Sequence, residues 1–355
     1  MKKILTPFKK NGFSLKNHLV MAPMTRSRAI DNLPNDLMAE YYGQRTGAGL
    51  IIAEGTAPTV DGVGYPRIPG IYSDEQVEGW KKTTKAVHQA ETKIFVQLMH
   101  TGRIAHIDNI PEGGRIVAPS AIKAASKMFT DTKGPQDHSV PEVLTADEVR
   151  RTIEGHVKAA ENAIKAGFDG IEVHGANGYL VEQFLNPNVN KRDDEYGGSI
   201  ENRAKFVVDT VQAIADSIGK DKVGVRLSPY STFNDQAAYD QEEVHKTYSY
   251  LAEQFNTIGI VYVHLSMNPE APKKTYHEIR EKYQGIIIQC NGLTPETGEA
   301  ALDGFADLIA FARNWLANPD LDLRIAEGAE LNAPKPDLFY SPGAEGYTDY
   351  PTLNQ

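Results

Sequence analysis

The sequence predicts an α/β fold, a single (β/α)8 barrel, and three observations carry that prediction. Eight short, β-branched runs recur along the 355 residues. Each is almost continuously apolar, as strands of a parallel sheet buried on both faces are. Helix-start signals stand between them. Eight alternating strand and helix units in one chain close into a barrel.

The elements follow in order. Strands are expected over 18–24 (HLVMAPM) and 49–55 (GLIIAEG). Ser73 and Gln76 then form a capping box that opens a helix. A third strand covers 94–100 (IFVQLMH). From 101 to 144 no strand and helix unit is legible, and the segment is rich in Gly and Pro (PEGGRIVAPSAI, TKGPQDHSVPEV). A loop of that length is functional or a small subdomain. It is expected to be an excursion that caps the active-site face. Thr145 and Glu148 form a second capping box, and the fourth strand is 170–176 (GIEVHGA). Strands at 223–229 (VGVRLSP), 260–266 (IVYVHLS), 285–292 (GIIIQCNG) and 307–313 (DLIAFAR) complete the set. Thr294-Pro295 puts proline at a first helical position. No repeat, low-complexity tract or linker divides the chain, so 1–355 is expected to be one domain.

Composition narrows the partners. A formal net charge of -10 argues against nucleic acid and anionic membranes, which attract positive surfaces. No apolar run reaches the roughly 18 residues of a membrane span. The start, MKKILTPFKK, lacks the apolar core of a secretory signal. Cys290 is the single cysteine, which excludes an internal disulfide and fits a reducing compartment. A cytoplasmic protein with a small-molecule partner is expected. The oligomeric state stays open.

In such a barrel the active site lies at the C-terminal ends of the strands. Those ends carry Met24-Thr25, Glu54, Gln97, His100, His174, Arg226, His264, Asn291-Gly292 and Arg313. None ends in lysine, which disfavours Schiff-base chemistry. There is no HExxH, and the spacing of His100 and His106 does not suit one helical face, so no metal site is expected. No GxGxxG or Walker sequence follows a strand.

An anion site and an electrophile site remain. Loops after strands seven and eight of such barrels often bind phosphate, which points to Asn291, Gly292, Ala312 and Arg313. An ion pair of Arg313 with a neighbouring carboxylate is the plain alternative. His174 and Asn177 are two neutral donors that can hold one oxygen gaining negative charge. Tyr179 is protonated at neutral pH, with an unperturbed pKa of about 10, and can act as a general acid. Singly these read as a satisfied buried histidine, a turn asparagine before Gly178 and a rim tyrosine. At the end of one barrel strand they read better as a cluster.

Several segments also resemble the old yellow enzyme family of FMN-dependent NAD(P)H:flavin ene reductases. They are NHLVMAPMTRSRA (17–29), GLIIAEGT (49–56), VQLMHTGR (96–103), GFDGIEVHGANGYLVEQFLNP (167–187), RDDEYGGSIENRAKF (192–206), VGVRLSP (223–229), ARNWLANPDL (312–321) and EGYTDYP (345–351). The resemblance implies FMN held by Pro23, Met24, Thr25, Ala57, Gln97 and Arg226, with phosphate at Asn291, Gly292, Ala312 and Arg313. It implies NADH or NADPH as reductant. An electron-poor alkene or nitro compound would be held by His174 and Asn177 and protonated by Tyr179, with Tyr65 and Tyr350 lining the pocket.

Three positions depart from the family pattern. Ala312 stands where glycine is common, and would penalise a left-handed backbone. Met99 replaces a frequent tryptophan, which should soften the pocket. Cys290 stands where a small residue is usual. It reads as a buried thiol rather than a nucleophile, with no base evident beside it. The rival readings are a flavin-free barrel isomerase or lyase acting on a phosphorylated molecule, and a non-catalytic flavin-binding protein.

Overall fold

The computed structural model describes residues 2–353. Eight parallel strands form a closed barrel: β1 (Leu19–Met21), β2 (Leu50–Thr56), β3 (Lys93–Leu98), β4 (Gly170–Gly175), β5 (Val223–Leu227), β6 (Tyr262–Ser266), β7 (Ile286–Cys290) and β8 (Leu308–Phe311). Each pairs with the next, and β8 closes on β1 through Ile309 to Leu19. The strands end earlier than the apolar runs suggest. Pro23 and Pro229 follow β1 and β5, and proline cannot donate to a ladder.

Helices α1 (Asp36–Gly43), α2 (Asp74–His88) and α3 (Ala146–Lys165) lie between the early strands. After β4 come α4 (Leu180–Leu185) and α5 (Ile200–Ile218), then α6 (Gln241–Ile258), α7 (Lys273–Lys282) and α8 (Pro295–Ala301). Two more, α9 (Arg313–Ala317) and α10 (Leu321–Glu327), follow β8. The expected capping boxes form at Ser73 with Gln76 and Thr145 with Glu148. Such caps are worth about 1 kcal/mol each.

The two-residue period of the strands sorts the barrel. Ile51, Ala53, Ile171 and Val173 join the apolar layer shared with the helices. Leu50, Ile52, Phe95, Tyr262, Ile286 and Ile288 form a separate interior cluster, plugged from below by Phe8, Phe13 and Leu15. The plug is a hairpin, Phe8–Lys10 with Phe13–Leu15, which no strand signal announced. Gly170 lets the Phe95 ring fill the interior, since a Cβ there would lie 2.5 Å from it.

Two segments cross the C-terminal face. Within 101–144, a hairpin pairs Lys127–Thr130 with Gly134–Asp137, and Val117–Ala118 pairs with Glu142–Val143. The stretch after α10 is strapped down by buried arginines just past β1. Arg26 donates to the Phe339 carbonyl at 3.1 Å and the Gly346 carbonyl at 2.7 Å. Arg28 donates to the carbonyls of Phe339 at 2.7 Å and Leu338 at 2.9 Å. Tyr347 stacks on Tyr41 with centroids 4.0 Å apart. Arg26→Met should lower unfolding free energy by about 2 kcal/mol, because the buried Gly346 carbonyl loses its donor while the Phe339 carbonyl keeps Arg28. Urea unfolding of the variant measures it.

Candidate active site

Above the apolar interior, the inward-facing positions turn polar. Gln97, Glu172, His174, Arg226 and His264 are all buried. They sit at matched heights: Gln97 pairs with Glu172, His174 with Arg226, and Arg226 with His264. Over them opens a cavity of about 870 Å³, within the range of about 300–1,000 Å³ usual for small-molecule sites. Pro23, Thr25, Tyr65, Gln97, His174, Asn177, Tyr179 and Arg226 line it, as does Met99.

The turn after β4 sets the central cluster. Asn177 (φ 57°) and Gly178 (φ 78°) are both left-handed, a conformation that asparagine tolerates and glycine adopts freely. Tyr179 then begins α4 and sets its ring edge-on to His174, centroids 4.8 Å apart. Its hydroxyl donates to that of Tyr65 at 3.1 Å. The N–H of Ala176 donates to Nδ1 of His174 at 3.2 Å. A neutral imidazole then carries its proton on Nε2. Burial, followed by the positive Arg226 and His264, holds the His174 pKa well below its ordinary value. Burial also raises that of Tyr179, so its hydroxyl keeps its proton at neutral pH.

The family model described as NADH:flavin oxidoreductase / NADH oxidase matches residues 3–332. The chain belongs to this family, that of the old yellow enzymes. It is 40% identical to 12-oxophytodienoate reductase 1 of Oryza sativa subsp. japonica, over 99% of this chain and 93% of the relative. It is 41% identical to a probable flavin mononucleotide-dependent alkene reductase of Leishmania infantum, over 99% and 97%. Morphinone reductase in complex with tetrahydroNAD superposes with TM-score 0.94 at 41% identity, over 99% and 97%. An old yellow enzyme homologue from Zymomonas mobilis also reaches 0.94, at 39% identity and 99% coverage of both chains. The fold is thus that of the old yellow enzymes, with FMN as cofactor, a nicotinamide reductant and reduction of activated C=C bonds as the activity. The flavin-free rival falls away.

The residues fit the flavin. Arg226 lines the cavity with its buried Nε unpartnered, and no carboxylate lies within 4.0 Å of its guanidinium among the described residues. Gln97 spends its Nε2 on Glu172 at 2.7 Å, which leaves its carbonyl oxygen for a donor in the cavity. Asn291-Gly292 and Ala312-Arg313 leave neighbouring strands whose last pair is Cys290 with Ala310. Arg313 makes no ion pair among the described residues, and its guanidinium lies 6.0 Å from the Phe339 ring centroid.

Some expectations are corrected in this old yellow enzyme. Ala312 has φ -98°, so no left-handed strain arises there. The left-handed pair is Asn291 (φ 80°) and Gly292 (φ 68°) instead. Cys290 does have an ionisable neighbour in His264, whose Nδ1 pairs with Glu172 at 2.8 Å, and Arg226 Nη2 lies 4.0 Å from the sulfur. Burial opposes ionisation of Cys290, but His264 and Arg226 outweigh it and lower its pKa. Tyr350 does not line the cavity: its hydroxyl accepts from the Lys335 N–H at 2.8 Å, and its ring packs with Leu316, Ala317 and Met24. Met24 and Ala57 also lie outside the lining, Ala57 bridging to Gly70.

The rim was missed by sequence reasoning. Phe129 from the hairpin, Tyr340 from the C-terminal stretch and Asn234 after β5 complete the cavity. Arg67 joins them: it pairs with Asp131 and donates to the carbonyls of Ser27 at 3.0 Å and Tyr340 at 2.8 Å. Only Phe129 and Tyr340, exposed aromatics in Gly- and Pro-rich segments, gave any signal.

Glu54, fully buried under the arginine strap, has its pKa raised to about 7, chiefly by burial. Its folded value exceeds the unfolded one, so the stability it contributes is present below about pH 4.5 and is lost as pH rises to about 7. The loss is up to about 3 kcal/mol. Glu54→Gln should therefore flatten denaturation midpoints measured between pH 5 and pH 8.

Proposed function

We propose that His174 and Asn177 hold the carbonyl or nitro oxygen of an electron-poor alkene, and that Tyr179 protonates its α-carbon. Bound FMN, once reduced by NADH or NADPH, supplies hydride to the β-carbon. As negative charge gathers on the substrate oxygen, a neutral His174 with its Nε2 proton is a donor already in place. That tautomer, set by the Ala176 N–H on Nδ1, is the observation that carries the reading. Tyr179, kept protonated by burial, stands beside the ring of His174.

In the same reading Thr25, Gln97 and Arg226 meet the polar edge of the flavin, and Pro23 frames its ring. Asn291, Gly292, Ala312 and Arg313 take the phosphate, and Tyr65 shapes the pocket. Segment 101–144 caps a single domain. The one buried cysteine and the net charge of -10 favour the cytoplasm.

The test is the visible spectrum of the FMN-loaded protein titrated with a para-substituted phenol. A long-wavelength charge-transfer band is expected, from phenolate held by His174 and Asn177 against the flavin. A flavin spectrum without the band would leave the cofactor and remove the oxygen site.

A further inference from the structure

The left-handed turn at Asn177-Gly178 is held from behind by one buried carboxylate. Glu182, in the first turn of α4, accepts from the Gly178 N–H at 2.6 Å through Oε2. Its Oε1 accepts from the Ser228 hydroxyl at 2.8 Å and the Tyr248 hydroxyl at 2.9 Å. Ser228 in turn accepts from the Asn177 N–H at 2.9 Å. Both amides of the turn thus end, directly or through one hydroxyl, on Glu182. The opposite side of the turn is tied by Asn234, whose Nδ2 donates to the Asn177 carbonyl at 2.8 Å. Gly178 has no room to relax, since a Cβ there would lie 2.7 Å from the Phe233 carbonyl oxygen.

Glu182 does not line the catalytic cavity, so it does not touch the substrate. It faces a second cavity of about 270 Å³ on the far side of the turn. Removing its acceptors would leave the Gly178 N–H unsatisfied and release the Ser228 hydroxyl that holds the Asn177 N–H, and the turn would seek another conformation. The side chain of Asn177 is the group displaced, because it projects from that turn.

We infer that Glu182 is a positioning residue for substrate-oxygen binding: through Gly178 and Ser228 it fixes the turn that presents Asn177 beside His174. This rests on the proposed oxygen site. The role is hydrogen bonding rather than charge. An amide at the same position can accept from Gly178 and donate to the two hydroxyls, which rotate to receive it.

The experiment compares FMN-loaded wild type with Glu182→Met, Glu182→Gln and Ser228→Ala. The probe is pentafluorophenol, titrated at a pH where it is fully ionised, with the charge-transfer band as readout. Glu182→Met should weaken its binding about tenfold, as expected for the loss of a turn-holding hydrogen bond or two. FMN affinity should stay at the wild-type value. Glu182→Gln should restore most of the affinity. Ser228→Ala, which removes little volume, should weaken phenolate binding in the same direction. Unchanged phenolate affinity in a folded Glu182→Met variant would overturn the inference, and so would unchanged affinity in Ser228→Ala if Glu182→Met does not fold. Glu182→Gln as weak as Glu182→Met would overturn the hydrogen-bonding role. Wild type that binds FMN but no phenolate would sink the oxygen site itself, and is told apart by failing before any variant is made.

Discussion

In Tyr179→Phe, the alkene-dependent half-reaction is expected to slow by about a hundredfold or more, the scale of a lost general acid. The nicotinamide-dependent half-reaction should keep its rate. Phenylalanine preserves the edge-on contact with His174, centroids 4.8 Å apart, so the turn keeps its packing. What is lost is a hydroxyl that burial keeps protonated and that donates to Tyr65 at 3.1 Å. Stopped-flow absorbance separates the two half-reactions. Equal slowing of both would mean that Tyr179 shapes the cavity and does not supply the proton.

Replacing the oxygen-binding pair should have the other large effect. His174→Ala and Asn177→Ala should each lower the alkene-dependent rate by about 10²- to 10³-fold, as loss of one preorganised donor does. In the proposed site both donors converge on one oxygen, so the double variant should fall short of the product of the singles. Phenolate affinity should drop with each, while FMN stays bound. Release of FMN on either substitution would instead make these residues part of the flavin cradle. His174→Ala also vacates a position between Arg226 and the Tyr179 ring. Asn177→Ala adds backbone strain at φ 57°, where alanine is disfavoured. The pair thus differs in what each variant disturbs besides the hydrogen bond, and agreement between them would strengthen the assignment.

Much of this site is legible in one dimension. Along β4, Ile171 and Val173 face the helices while Glu172 and His174 face inward, and that alternation follows from the strand period alone. The polar ends of eight such strands therefore point to one face before any contact is known. Ser73 and Thr145 mark helix starts because their capping partners lie three residues away.

The parts that stayed hidden depend on segments far apart in the chain. Cys290 gains His264 as a neighbour only once β6 and β7 are in register, with Ser266 opposite Cys290. Glu182 looks like an ordinary helix residue until Ser228, just past β5, and Tyr248 of α6 arrive beside it. Tyr350 lies in a matching motif, yet the strap held by Arg26 and Arg28 turns its hydroxyl to Lys335 and away from the cavity. Phe129 and Tyr340 reach the rim because a hairpin and a C-terminal stretch dock across the barrel mouth. The sequence by itself determined the barrel, its polar face and the His174, Asn177 and Tyr179 cluster, because periodicity and short motifs act within a few residues. Tertiary structure alone decided the rim, the surroundings of Cys290 and the support behind Asn177. Those depend on which distant backbones pack together, and no local pattern encodes that energy.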